Sequence, residues 1–267
     1  MSEPHVIHRV DRERRQYDLV LNRPERLNAF TAEMYSSIRA GILRAEAEPE
    51  IDVIVISAAP GKAFATGGDL AEWLEVLSLP RPDAYTRFDT DWRFPFDAIL
   101  QSSKTVIAAV DGICWAGGLV IALASDIVVA TRSSTFAVPE ARVGVYEPGT
   151  ELLLPKVVGL SRARYMIATA ATLDAETAER WGIVARLVVD REALDKEVEV
   201  LVEAVSGTSP SARALYKRGI LGDLRGANNL SIMQTALTEN AIEGLEAFRD
   251  RRPPQWRRGG ADAGSAN

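Results

Sequence analysis

The chain reads as an α/β protein, and three features predict it. Short apolar runs rich in Val and Ile, at 51–57 and 105–110, have the length of strands and are too short for helices. They alternate with stretches that carry helix-start signals, the pattern of a layered α/β core. Two of the strand-to-helix turns hold paired glycines, Gly67-Gly68 and Gly117-Gly118.

Each element follows in order. Residues 8–21 mix charge with Val10, Tyr17, Leu19 and Leu21 and predict a strand hairpin, its polar turn at 11–15. Asn22-Arg23-Pro24 ends it, because proline resists a central strand. Thr31 can cap a helix to about Glu46, in which Met34, Ile38 and Ile42 form a buried stripe, and Pro49 stops it. After the strand at 51–57 and the first glycine pair, Asp69 is placed as the N-cap of a helix over 70–77. Residues 80–96 are the least regular stretch, with Pro80, Pro82, Pro95, Tyr85, Phe88, Trp92, Phe94 and Phe96. These aromatics either line a pocket or pack a helix on the core.

The strand at 105–110 turns at Asp111-Gly112 and leads to the second glycine pair and an apolar helix over 119–125. Residues 126–130 and 135–138 predict short strands, and 139–142 leave the sheet. Ser161 is placed to cap a helix through Thr169, Asp174 another that Gly182 stops, and 183–189 predict a last strand. From Arg191 the pattern is helical: 191–205, a helix opened by Ser209-Pro210, and 229–248. The tail from Arg251 is rich in Arg, Pro and Gly and is expected to be mobile. No internal repeat recurs at a fixed period.

Composition narrows the function. The chain has 267 residues, 47% hydrophobic and 25% charged, ordinary for a soluble globular protein. A formal net charge of −6 provides no basic field for nucleic acid. Cys114 is the only cysteine, so no intrachain disulfide forms, and its apolar surroundings read as core. The N-terminus lacks an apolar signal region and no apolar run is long enough to span a bilayer, so a cytoplasmic location is expected.

Common catalytic signatures are missing. There is no Gly-x-Ser-x-Gly and no His-Glu-x-x-His, and Ala63 after Gly61-Lys62 breaks a phosphate-binding loop. Both histidines, His5 and His8, lie at the extreme N-terminus. No metal site is expected, and an acid or base here is a carboxylate. In the glycine turns, backbone N–H groups at a helix start point outward and suit a developing negative charge. Two such donors converging on one oxygen make an oxyanion hole.

The motifs resemble those of the crotonase, or enoyl-CoA hydratase/isomerase, superfamily over nearly the whole chain. They are Leu21-Asn22-Arg23-Pro24-Glu25-Arg26-Leu27-Asn28-Ala29-Phe30, residues 63–70, Ala109-Val110-Asp111-Gly112 followed by Ala116-Gly117-Gly118, Phe136-Ala137-Val138-Pro139-Glu140, and residues 243–248. The resemblance implies a spiral of β-β-α units over residues 1–190, a helical region over 191–250 that builds a homotrimer or a hexamer of two trimers, and a tail over 251–267. It implies an acyl-CoA thioester as substrate, with no separate cofactor.

It also implies site residues. Gly68 and Gly117 match the two amide donors to the thioester oxygen. Glu140 matches the second catalytic glutamate of the family's hydratases; its alternative is a surface glutamate paired with Arg142. Arg26, Ala65, Gly67, Leu70, Trp115, Gly118 and Val120 are the expected substrate contacts.

Three departures bear on the reaction. Val120 stands where those hydratases carry their first glutamate, so one remaining base fits double-bond isomerisation better than hydration. Hydration or dehydration, and acyl-CoA binding without catalysis, are the other readings. The loop after Gly144 runs Val145-Tyr146-Glu147-Pro148-Gly149-Thr150-Glu151 and is one residue short. With the gap before Tyr146, Glu147 falls where one isomerase branch has a catalytic glutamate; with the gap later, it does not. Ala71 and Glu72 replace a lysine that often meets the CoA phosphates. Arg26, or Arg251 or Arg252 from a neighbouring subunit, are the candidate replacements, with solvated surface arginines as the alternative.

Overall fold

In a computed structural model of the chain, residues 3–91, 94–221 and 239–256 are described. Strands β1 (Val6–Asp11) and β2 (Gln16–Leu21) form the antiparallel hairpin. A single 3-10 turn, Pro24–Arg26, leads to α1 (Ala32–Ala47). Thr31 accepts from the Met34 N–H at its start, and Met34, Ile38 and Ile42 are buried, as their spacing demands.

The chain then repeats one move three times: a strand in a large sheet, a three-residue strand in a small sheet, and a helix. The first unit is β3 (Val53–Ala58), β4 (Ala63–Ala65) and α2 (Leu70–Leu77). Helices α3 (Arg81–Asp91) and α4 (Phe96–Gln101) intervene. The second unit is β5 (Thr105–Val110), β6 (Ile113–Trp115) and α5 (Gly117–Ala124). The third is β7 (Ile127–Thr131), β8 (Thr135–Ala137) and α6 (Glu140–Val143). The order continues α7 (Thr150–Val158), α8 (Leu160–Thr169), β9 (Leu173–Asp174), α9 (Ala175–Trp181), β10 (Arg186–Val188), α10 (Arg191–Ser206), α11 (Pro210–Leu221) and α12 (Glu239–Asp250).

The large sheet has the order β1-β2-β3-β5-β7-β10 and is parallel from β2 onward. The small sheet has the order β4-β6-β8-β9, with only the β8–β9 pair antiparallel. Successive units land side by side in both sheets, which is the spiral the resemblance implies. The intervening α3 and α4 make the unit lengths unequal, which is why no fixed period is visible in the sequence.

Strands β3 and β5 are apolar at nearly every position because both faces are covered. Ile54, Ile56, Val106 and Ala108 face the main core with α1 and α5. Val53, Val55, Ile107 and Ala109 face the other way, against Leu194, Val198 and Val202 of α10. Helix α11 is tied to the sheet ends by charge: Arg213 pairs with buried Asp52 at 2.9 Å, and Lys217 with Asp126 at 2.7 Å. Among the described residues no helix is long and apolar enough to cross a membrane.

Several boundaries differ from expectation. In the stretch 80–96, α3 and the start of α4 are helical, the second of the two readings the sequence allowed. Helix α5 starts at Gly117, not Leu119, because Ala116 takes φ 52° and turns the chain one step earlier. Ser161 does not cap α8, which opens one residue before it, after Gly159 at φ 82°. The last strand is only 186–188; Ile183 closes the end of α9 by donating to the Ala178 carbonyl and buries its side chain. Helix α7 holds Pro155 within it and carries no start signal that stands out in the sequence.

Of the predicted third late helix, residues 229–238 lie outside the described residues, as do Trp92 and the tail from 257. In the described start of the tail, Arg252 pairs with Glu243 at 2.6 Å, and Trp256 Nε1 donates to the Gly207 carbonyl.

Candidate active site

The site forms where the two glycine turns meet α1 and the loop after α6. Gly67 (φ 91°) makes the first turn, and a Cβ there would stand 2.4 Å from the Ala116 Cβ and 3.1 Å from the Gly117 nitrogen. The two loops therefore touch. Gly68 sits in an isolated parallel bridge with Phe30, in which the Gly67 carbonyl accepts from Phe30 N–H and Asp69 N–H donates to the Phe30 carbonyl. Parallel pairing turns the Gly68 N–H away from Phe30. Gly117 opens α5, so its N–H has no intrahelical acceptor. Among the described residues neither amide donates to a backbone carbonyl.

The backbone at this junction is unusual. Ala116 holds φ 52° and ψ −127°, a region that disfavours a side chain, immediately before Gly117. Gly118 meets the first loop so closely that a Cβ would lie 2.6 Å from the Ala65 carbonyl oxygen. Ala65 is fully buried, and Trp115 is half-buried with its Nε1 donating to Thr135 Oγ1. Leu70 is exposed at the start of α2.

A second set of contacts holds the first loop. Asn28, fully buried at φ 52°, accepts from Arg23 N–H and donates to the Ala63 carbonyl. Arg23 pairs with Asp69 at 2.6 Å, and Asp69 caps α2 by accepting from Ala71 and Glu72 N–H groups. That pairing and capping hold the Asp69 carboxyl below its ordinary range against the opposing cost of burial. Asp69 caps α2 as the sequence predicted, whereas Arg23 and Asn28 were not foreseen individually, although both lie in the quoted motifs.

Two carboxylates enter the site. Glu140 begins α6 directly after Pro139 and is only 7% exposed. Neither of its oxygens has a hydrogen-bond partner on another described residue. Arg142 donates instead to the Ala170 carbonyl, so the Glu140–Arg142 pairing is not formed. Burial pushes the Glu140 carboxyl above its ordinary range, with its own backbone N–H opposing.

Glu147 is 5% exposed. Its Oε1 accepts from the Tyr35 hydroxyl at 3.3 Å, and a Cβ on Gly117 would stand 3.0 Å from the same oxygen. Burial first, and the nearby Glu140 charge second, push Glu147 up to about 8. Glu147 and Tyr35 thus meet at Gly117, with the Glu140 charge close enough to act on both, and Tyr35 is a residue the sequence did not single out. Its signal was weak: one polar tip inside an otherwise apolar helix stripe.

Val120 is buried in α5, and its Cγ1 lies 3.0 Å from where a Cβ on Gly149 would stand. The hydratase-like glutamate position is therefore filled by a methyl group packed on the loop that carries Glu147. Phe96 lies 3.6 Å from the same Cβ position of Gly149, and Phe94 meets Tyr35 edge-on with ring centres 5.0 Å apart. These two aromatics pack against the core. The side chains of Tyr85 and Phe88, like Trp92, lie outside the described residues.

Arg26 is exposed in the 3-10 turn, Arg251 is exposed after α12, and Arg252 is engaged by Glu243. Glu72, where a lysine is often found, accepts from Ala32 N–H at the start of α1. Cys114 is buried in β6, and burial pushes its thiol far up, as suits a core residue. Among the described residues no group of three His, Cys, Asp or Glu side chains is placed to hold a metal ion.

The spiral α/β fold, with two glycine turns in contact and a buried carboxylate, Glu147, beside one of them, matches the class of fold the motifs resemble. The sequence pattern of the Enoyl-CoA hydratase/isomerase family matches residues 17–259, and the chain belongs to that family. It is 30% identical over 253 residues to a mevalonyl-coenzyme A hydratase of Beauveria bassiana, covering 90% of each chain. It is also 30% identical over 252 residues to a carnitinyl-CoA dehydratase of Salmonella enteritidis, covering 90% of this chain and 94% of that one. An enoyl-CoA hydratase of Mycobacterium smegmatis superposes with a TM-score of 0.85 at 30% identity, over 95% of this chain and 99% of the other. An enoyl-CoA hydratase/carnithine racemase of Magnetospirillum magneticum superposes with a TM-score of 0.84 at 27% identity, over 96% of each.

Proposed function

We propose that this protein shifts the double bond of an enoyl-CoA thioester through an enolate. The carrying observation is a pair of buried carboxylates that feel each other's charge, Glu147 beside Gly117 and Glu140 without a hydrogen-bond partner on another described residue. In this reading the thioester oxygen accepts from the Gly68 and Gly117 N–H groups. Glu140 takes a proton from C2 of a 3-enoyl thioester, and the electron pair spreads onto the carbonyl oxygen and C4. Glu147, protonated at neutral pH, returns a proton to C4, leaving the double bond between C2 and C3. The two carboxyls then exchange protons with solvent and reset.

Charge on the thioester oxygen is where the two amides act; losing one such donor costs about 3 kcal/mol in other enzymes. In this reading Glu140 works ionised as the base and Glu147 protonated as the acid at one pH. Packing of Val120 on Gly149 favours isomerisation, since no carboxylate stands at that position to hold water.

Hydration or dehydration is the second reading. It is favoured by the reactions named for the relatives and by Glu147, which supplies a second carboxylate from another loop. Incubation with 2-enoyl- and 3-enoyl-CoA esters in D2O, followed by mass spectrometry, separates the two. Deuterium at C2 or C4 without added water mass supports isomerisation. Added water mass replaces it with hydration, and tight binding without either change leaves a binding protein.

A further inference from the structure

We propose that Tyr35 is a positioning residue of the carboxylate pair: its hydroxyl holds the Glu147 carboxyl against Gly117 and directs the proton of Glu147 toward the substrate space. The proposal rests on the reading of Glu147 as the acid. Tyr35 reaches the site from α1, 112 positions before Glu147, so no local sequence pattern links them. Its ring is 1% exposed and wedged between Phe30, at 4.8 Å, and Phe94, at 5.0 Å. Aromatic packing on both sides leaves it little room to turn.

The hydroxyl contacts both parts of the site. It lies 3.3 Å from Glu147 Oε1 and would stand 2.4 Å from a Cβ on Gly117. Residue 117 is therefore glycine partly because the Tyr35 oxygen occupies the side-chain space. Desolvation, and then the charge of Glu147, hold the phenol well above its ordinary range, so it remains a donor. A protonated carboxyl has one oxygen that accepts and one that donates. Donation from Tyr35 to Oε1 makes Oε1 the acceptor and leaves the acidic proton on Oε2.

The charged and titratable groups that face Glu147 are Glu140 from α6 and Tyr35 from α1. Among the described residues no arginine or lysine offsets them. The Tyr35 bond is therefore the interaction that favours the ionised form of Glu147 against burial and the Glu140 charge.

Tyr35→Phe keeps the ring and removes the bond. The Glu147 titration is read in the infrared band of the protonated carboxyl and assigned by its loss in Glu147→Gln. We expect it to move upward by about 1 pH unit, the scale of one hydrogen bond to a charged group. Turnover should fall about tenfold or more, KM for the CoA ester should change little, and the alkaline limb of kcat should move upward. Installing 3-fluorotyrosine at position 35, a stronger donor of similar shape, should move the titration downward, and this second probe decides if Tyr35→Phe does not fold. A Glu147 titration that neither variant moves overturns the proposal. A titration that moves in a protein inactive on every enoyl-CoA supports the Tyr35–Glu147 coupling and removes the isomerase reading instead.

Discussion

Glu140 and Glu147 carry the chemistry at the scale of single residues, and each makes a separate prediction. Glu140→Gln keeps size and loses basicity. We expect kcat to fall by roughly two orders of magnitude or more, the usual range for acid/base groups, with affinity for a CoA ester little changed. Steady-state kinetics beside calorimetric binding check this. Full turnover in Glu140→Gln with an inactive Glu147→Gln would move the base to Glu147. Glu147 also couples stability to pH. Its folded value, about 8, lies above its ordinary value of 4.5, so the folded state binds more protons between them. Its contribution to stability is complete below 4.5 and is lost as pH rises through about 8. Glu147→Gln stays neutral, so its melting temperature relative to wild type should rise from pH 5 to pH 8 and level off above. A constant difference across that range would contradict the buried, protonated Glu147.

The elements act by bringing separate loops into contact. Helix α5 starts in close contact with β4 because Gly118 admits the Ala65 carbonyl, and Gly67 admits Ala116. Gly118→Ala forces a methyl group onto a backbone oxygen, which cannot move as a side chain would. We expect a loss of about 1–3 kcal/mol in urea unfolding and a marked fall in activity. Asn28 joins the loop before α1 to β4 by donating a buried hydrogen bond to the Ala63 carbonyl, while its oxygen accepts from Arg23 N–H within the loop. Asn28→Ala orphans the Ala63 carbonyl, and we expect a comparable loss of about 1–3 kcal/mol. An unchanged unfolding midpoint in either variant would show that the loops are held by other contacts.

The whole molecule is arranged so that late helices face both inward and outward. Helix α10 buries Leu194, Val198 and Val202 on the large sheet, and α11 is tied down by Arg213 and Lys217. Their outer faces leave Tyr216 and Ile220 exposed, and α12 exposes Ile242, Leu245 and Phe248. Apolar surface of this kind is commonly covered by association. We propose that these faces build the trimer or hexamer implied by the family resemblance. Light scattering in dilute buffer should give a mass of three or six chains, and a stable monomer would refute it. Phe248→Glu should shift that mass toward monomer without altering the fold by circular dichroism.

The sequence by itself determined the α/β class, the long strands and the two glycine turns. Apolar periodicity and glycine pairs are local signals, and a backbone that must bend sharply or admit a close neighbour leaves few other residues. It also marked Glu140 through the motif that precedes it, and left Glu147 open because a one-residue gap could stand on either side. Tertiary structure alone brought Glu147 to Gly117 and set Tyr35 beside them, since Tyr35 and Glu147 lie 112 positions apart and these contacts depend on packing that no local pattern records. It alone decided that β4 and β6 are strands, because three residues are too few to display a period and become strands only by pairing with one another. The same holds for the raised Glu147 carboxyl: its ionisation follows from burial and from a second carboxylate close by, and both exist only once the chain has folded.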